Sequence, residues 1–379
     1  MSDRRSIFQE VSGSAPPRQA PAPRQAAGAA PRRAIRLWLL LLLAMVVAMT
    51  ALGGWTRLTD SGLSITEWKP ISGAIPPLSR EAWQAEFDKY RQIPEYQLQN
   101  KGMSLDAFKR IFFWEWAHRL LGRAIGLVWA AGFLWFLARR QIPPGWTGRL
   151  LLPGILGAGQ GALGWWMVSS GLTGRMVDVA SYRLALHLGL AFVIMGVILW
   201  LILLLSRDAA ELLQARRRRE EGLARLAGRL LALALFQVLL GALVAGIDAG
   251  RGYTDWPLMN GAFLPPESFD YLPLWSNLFE NPALVQFNHR IIGYLLFAFA
   301  GFTWWRSRRS PLRATRGAFG LLMAMVVLQM LLGIVTVLYA APAGLAILHQ
   351  LGAVAVVLLV LRARFLALYP PAQPLGAPR

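Results

Sequence analysis

Residues 181–205 read SYRLALHLGLAFVIMGVILWLILLL, an apolar run interrupted near its start by Arg183 and His187. About twenty such residues in a helix cross the hydrocarbon core of a bilayer. The chain repeats the feature: candidate spans lie at roughly 35–55, 115–137, 149–169, 181–205, 226–247, 287–305, 315–339 and 345–366. A soluble protein can bury one or two helices of this kind. Eight of them, in a chain of 379 residues that is 55% hydrophobic, leave almost no polar surface. The expectation is an all-α polytopic membrane protein with eight transmembrane helices.

The formal net charge of +19 does not indicate nucleic acid, because the basic residues follow topology instead of forming a stripe. Arg4, Arg5, Arg18, Arg24, Arg32 and Arg33 precede the first span; Arg139-Arg140, Arg216 to Arg219, and Arg306, Arg308 and Arg309 follow spans two, four and six. The loops after spans five and seven are nearly devoid of Lys and Arg. The positive-inside rule therefore places both termini and the Arg-rich loops in the cytoplasm, and residues 56–114 and 248–286 outside. Residues 1–34, rich in Pro, Ala and Arg, read as a disordered cytoplasmic tail rather than a secretory signal. The chain has no cysteine, which excludes disulfides, thiolate ligands and iron–sulfur clusters, so any redox chemistry needs a bound cofactor.

An internal duplication organises the spans. Glu67-Trp68, Gly73-Ala74 and Pro76-Pro77 in the first outer segment are answered by Asp255-Trp256, Gly261-Ala262 and Pro265-Pro266 in the second. His118-Arg119 opens span two and His289-Arg290 opens span six. His187 in span four matches His349 in span eight. A Gln-x-x-Leu-Gly word recurs at Gln160–Gly164, Gln237–Gly241 and Gln329–Gly333, and weakens to Met-x-x-Leu-Gly at Met49–Gly53. The expected organisation is a tail over 1–34, a four-helix unit over 35–205, an Arg-rich cytoplasmic linker over 206–225, a second four-helix unit over 226–366 and a cytoplasmic tail over 367–379. An even number of spans per unit makes the repeat parallel, unlike inverted-repeat transporters.

His118, His187, His289 and His349 are the whole histidine complement, all near the starts of even-numbered spans. A lone polar residue in a membrane helix is as often structural as functional, but four at matching depths point to two pairs converging inside helical bundles. Zinc fits poorly, since each pair supplies two nitrogens without a further ligand. A porphyrin needs two axial imidazoles, an apolar slot and cations for its propionates, and Arg119 and Arg290 follow a histidine in each half. The glutamines and glycines of the repeated word read as packing and orientation devices. One asymmetry breaks the duplication: Glu115 lies one helical turn before His118, whereas Gln286 stands before His289. One half thus has a reactive carboxylate and the other only a cofactor holder. Glu67 and Asp255 are assigned to loop structure.

These residues resemble the haem A synthases, membrane enzymes of cytochrome oxidase assembly. The resemblance spans nearly the whole chain after residue 35 and rests on GLSITEWKP in the first outer loop, EWAHR at Glu115–Arg119, DWPLMNG at Asp255–Gly261, NHR at Asn288–Arg290, and His187 and His349. It implies oxidation of a ring methyl of haem O to a formyl group, giving haem A, through an alcohol and a hydrated aldehyde. It also implies a haem b whose iron is held by His289 and His349, with Arg290 alongside. Haem O would be received near His118, His187 and Arg119, with Glu115 catalytic as proton acceptor or charge stabiliser. Some relatives carry outer-loop cysteines; Leu258-Met259-Asn260 stands here instead, as in the cysteine-free branch of proteobacteria and mitochondria, so no thiol step operates. The implied setting is a bacterial inner membrane. Haem O, a haem O synthase and oxidase assembly factors are the implied partners, with self-association left open. A di-haem b-type electron carrier and a haem transporter are the alternatives; the first gives Glu115 no role.

Overall fold

A computed structural model describes residues 26–174 and 176–372. Its helices run in the order α1 (Ala26–Leu58), α2 (Arg80–Tyr90), α3 (Pro94–Leu98), α4 (Leu105–Ala138), α5 (Thr147–Val168), α6 (Ser181–Leu205), α7 (Ala209–Arg217), α8 (Glu221–Gly246), α9 (Asn277–Glu280), α10 (Pro282–Ser307), α11 (Arg313–Leu338) and α12 (Ala343–Leu368). The eight long ones are α1, α4, α5, α6, α8, α10, α11 and α12. Among the described residues, seven are long and apolar enough by composition to cross a membrane. The eighth, α5, has 22 residues, about 33 Å of helix, which matches a bilayer core of about 30 Å. Its apolar content is diluted by Gly148, Gly154, Gly157, Gly159, Gly161 and Gly164.

Some boundaries differ from the sequence reading. Helix α1 begins at Ala26, inside the stretch expected to be a disordered tail, and carries Pro31; residues 1–25 of that tail, and 373–379 of the carboxyl-terminal one, lie outside the described residues. Helix α4 starts at Leu105, ten residues before the expected span, because the Ser104 hydroxyl accepts from the Ala107 amide at 3.2 Å and caps it. Its extra turns carry Phe108 and Phe112 into a cluster with Phe87, Tyr90 and Ile93, so the segment between α1 and α4 folds as an apolar cap. The Arg-rich linker contains α7, capped by the Asp208 carboxylate on the Glu211 amide.

The long helices pack as two rings in the same cyclic order. Helix α1 packs on α4, α4 on α5, α5 on α6 and α6 back on α1; α8 packs on α10, α10 on α11, α11 on α12 and α12 back on α8. The rings join through α6 against α8 and α12, and α1 against α12. The central core includes Leu39, Leu42, Phe192, Met195, Ile198, Val354 and Val357 from both rings. Leu127, Leu134, Ile155, Leu328 and Leu331 face outward, as expected of surface matched to acyl chains rather than water. At the carboxyl-terminal end of α1, Arg57 ties the rings together. It donates to the Gly246 carbonyl and the Asp248 carboxylate, both at 3.1 Å, and pairs with Asp60 and Asp178.

Candidate functional site

The ring order places α10 diagonally across from α12, and α4 across from α6, so each histidine pair spans the middle of its own quartet. The His289 and His349 rings lie 6.4 Å apart, centre to centre, with their planes at 83°. Imidazole nitrogens bind metal ions at about 2 Å, and with a ring radius of roughly 1 Å this sets the centres of two axial imidazoles about 6 Å apart. The spacing therefore fits one iron between the two rings. His118 and His187 make no such close ring contact among the described residues. Nor, among those residues, does any group of three or more His, Asp or Glu side chains converge to hold a metal ion.

The repeated word explains how three of the histidines are held. The Gln237 amide on α8 donates to the backbone carbonyl of His289 at 2.9 Å and lies 3.0 Å from its Nδ1. Gln329 on α11 donates to the His349 carbonyl at 2.8 Å and lies 3.2 Å from Nδ1; Gln160 on α5 treats His187 alike, at 3.0 and 3.3 Å. Four residues on, the glycine of each word makes room for the ring: a Cβ at Gly164, Gly241 or Gly333 would stand 2.9 Å from the Cε1 of His187, His289 or His349. Each glutamine also keeps a buried carbonyl Oε1 without a hydrogen-bond partner. The amide nitrogen ties down each histidine's backbone and lies against its ring, which fixes where the imidazole stands. The residues present thus fit haem ligation by imidazole, and the glutamines, read from sequence as packing and orientation devices, carry the orienting part of it.

Glu115 is 2% exposed and its carboxylate is saturated. Oε2 accepts from the Ser64 hydroxyl at 2.7 Å and the Ile65 amide at 2.8 Å; Oε1 accepts from Arg119 Nε at 3.1 Å and Nη2 at 2.6 Å. Four donors on two oxygens use the full accepting capacity of an ionised carboxylate. Arg119 also donates to the Ile65 and Glu67 carbonyls. The second half reproduces this arrangement with a neutral amide: Gln286 Oε1 accepts from Arg290 at 3.3 Å, its Nε2 donates to the Tyr253 carbonyl, and Arg290 donates to the carbonyls of Tyr253, Asp255 and Leu258. Of the two arginines assigned from sequence to propionates, Arg290 gives three of its four hydrogen bonds to loop carbonyls, and Arg119 divides its four equally between Glu115 and loop carbonyls. Ser64 escaped the sequence reading, although it sits within GLSITEWKP; with Thr66, Glu67 and Lys69 in the same stretch, nothing in its residue type singled it out.

The paired outer-loop acids differ in setting. Asp255 accepts from the Asn260 and Gly261 amides at 2.8 and 3.2 Å, closing its loop, and those N–H groups hold its pKa below the usual carboxylate range. Glu67 lies against Lys69 and Lys89, whose hydrogen bonds lower its pKa.

Imidazoles on diagonal helices, loop-anchoring arginines and the buried Glu115 carboxylate lie within a polytopic helical membrane protein. Comparison with known proteins agrees. The family model described as "Cytochrome oxidase assembly protein" matches residues 36–361. A protein of Dinoroseobacter shibae named "Heme A synthase" is 61% identical over 378 residues, covering 99% of both chains. Proteins of the same name from Ruegeria sp. and Paracoccus denitrificans are each 59% identical, over 374 and 369 residues, covering 97% of this chain and 98% and 97% of theirs. The chain belongs to this family of cytochrome oxidase assembly proteins.

Proposed function

We propose that this protein is a haem A synthase, an oxidoreductase that converts a ring methyl group of haem O to the formyl group of haem A. The observation that carries the site assignment is the His289–His349 pair, 6.4 Å apart with a glutamine beside each Nδ1. In this reading these two residues hold a resident haem b, His118 and His187 receive haem O, and the farnesyl-type tail of the substrate lies among the apolar helix faces. Bound haem supplies one-electron redox chemistry. The setting is the inner membrane, with both termini cytoplasmic, histidines toward the outer face, and a haem O synthase and oxidase assembly factors as partners.

What the chain contributes at the reacting end follows from Glu115. A carboxylate with all four acceptor positions filled is fixed in place, so its resting geometry favours stabilising positive charge that develops nearby. Proton uptake would first require a donor to leave, and the Ser64 hydroxyl, which can rotate, is the one that can do so without breaking the Arg119 pair. Arg119 and the Ile65 amide hold the group through that change. The amide of Gln286 cannot play either part, which supports a reactive first half and a cofactor-holding second half.

Glu115→Gln is an unusually clean test, because Gln286 already occupies the equivalent position beside its own arginine in this fold. Expressed with a haem O supply, the variant keeps haem b while haem A falls by about 10²-fold or more, and haem O or its alcohol accumulates on extraction. Wild-type haem A from Glu115→Gln defeats the catalytic assignment. A wild-type protein that makes no haem A under the same conditions turns the reading toward an electron carrier.

A further inference from the structure

Resting on that reading, we infer that His118 is the exchangeable ligand among the four, and that Met49, in the place of a fourth glutamine, makes it so. The word that grips each of the other histidines has no amide in α1: Met49-Thr50-Ala51-Leu52-Gly53 opens with a thioether. The steric slot is otherwise the same. A Cβ on Gly122, four residues after His118, would stand 3.0 Å from Met49 Cε, just as one on Gly293, four residues after His289, would stand 3.2 Å from Gln237 Nε2. Met49 fills the space of Gln237 but offers neither the N–H that bonds the histidine's carbonyl nor the polar contact beside its ring.

Two further differences accompany the substitution. Among the described residues the ring of His118 has no hydrogen-bond partner, whereas His187, His289 and His349 each have a glutamine. Its ring is also turned. The glycine of the α1 word, Gly53, would meet the Nε2 of His118 first, at 3.0 Å, while the other three glycines meet Cε1 first. A partner that orients a ligating histidine commonly adds 10- to 100-fold to metal affinity. A site with both histidines so supported retains its haem. One with His118 on a thioether holds its haem through a firm ligand, His187, and a yielding one, which suits a substrate that must arrive and a product that must leave.

The test uses full-length protein purified from cells supplied with haem O, with bound haems identified by mass and their loss followed by transfer to excess apo-globin. In the wild type, haem O or A leaves faster than haem b. Met49→Gln slows loss of the farnesylated haem by roughly tenfold and leaves haem b untouched. Met49→Leu, which restores no amide, keeps the wild-type rate. Gln237→Met speeds loss of haem b, and this arm decides the matter if Met49→Gln does not fold. Wild-type release from a folded Met49→Gln protein, or unchanged haem b retention in Gln237→Met, overturns the inference while the synthase reading stands. A wild-type protein that carries haem b but never a farnesylated haem overturns both.

Discussion

Gly333 shows how a single methyl group decides whether a histidine can serve. It faces the His349 ring closely enough that an added Cβ would stand 2.9 Å from Cε1, inside any normal contact. The ring belongs to a packed helix pair, so it must turn or α11 must move, and overpacking of this kind costs about 1–3 kcal/mol. Gly333→Ala is therefore expected to deplete or spectrally perturb haem b, while Gly320→Ala, on the same helix and facing open space, leaves it intact. Optical spectra and extracted haem per protein check both; equal haem b in the two variants argues against the ring position assigned here. The same scale separates Glu115 from Gln286. Both pair with an arginine four residues on, so the difference proposed between the two halves rests on carboxylate against amide.

The outer cap carries a titration of its own. Helix α2 and the short α3 bury Glu95, whose carboxylate accepts from the Tyr90 hydroxyl at 3.0 Å and from Asn100 at 3.2 Å. Burial raises its pKa from an ordinary 4.5 to about 8, against the opposing pull of the Tyr90 hydrogen bond. The folded cap thus holds this proton more tightly than the unfolded segment does. Its contribution to stability is fully present below about pH 4.5, declines as pH rises, and is lost above about pH 8. Hydrogen exchange of residues 84–100 should accelerate between pH 6 and 8.5 beyond the intrinsic rate change, and Glu95→Gln should flatten that excess. An excess that persists in Glu95→Gln assigns the effect elsewhere. Since the same cap supplies Ser64 and Ile65 to Glu115, its loosening should also reach the carboxylate proposed to be reactive.

Across the whole molecule one end is dominated by arginine, whereas the segment between α1 and α4 at the other mixes charges of both signs. Arg216, Arg219, Arg225, Arg229 and Arg364 line a recess of about 640 Å³, and Arg364 lies some 22 Å along α12 from His349 by helical rise. If these arginines set orientation, a reporter fused near Arg218 is cytoplasmic and one near Phe269 is external; the reverse labelling would invert the sidedness of every site. The class of the protein was legible without coordinates, because crossing a bilayer demands length and apolarity that any sequence displays openly, and a duplication repeats its histidines at matching places. Glu115 stood out for the same reason, as a break in a repeat. What the linear chain could not display is which partner each side chain meets. The saturation of Glu115 by Ser64, Ile65 and Arg119 depends on a loop folding back over fifty residues, and the grip of Gln237 on His289 depends on two helices packing with one glycine between them. Hydrogen bonds and close contacts act over about 3 Å between residues far apart in sequence, so their pairing was decided by the tertiary structure alone.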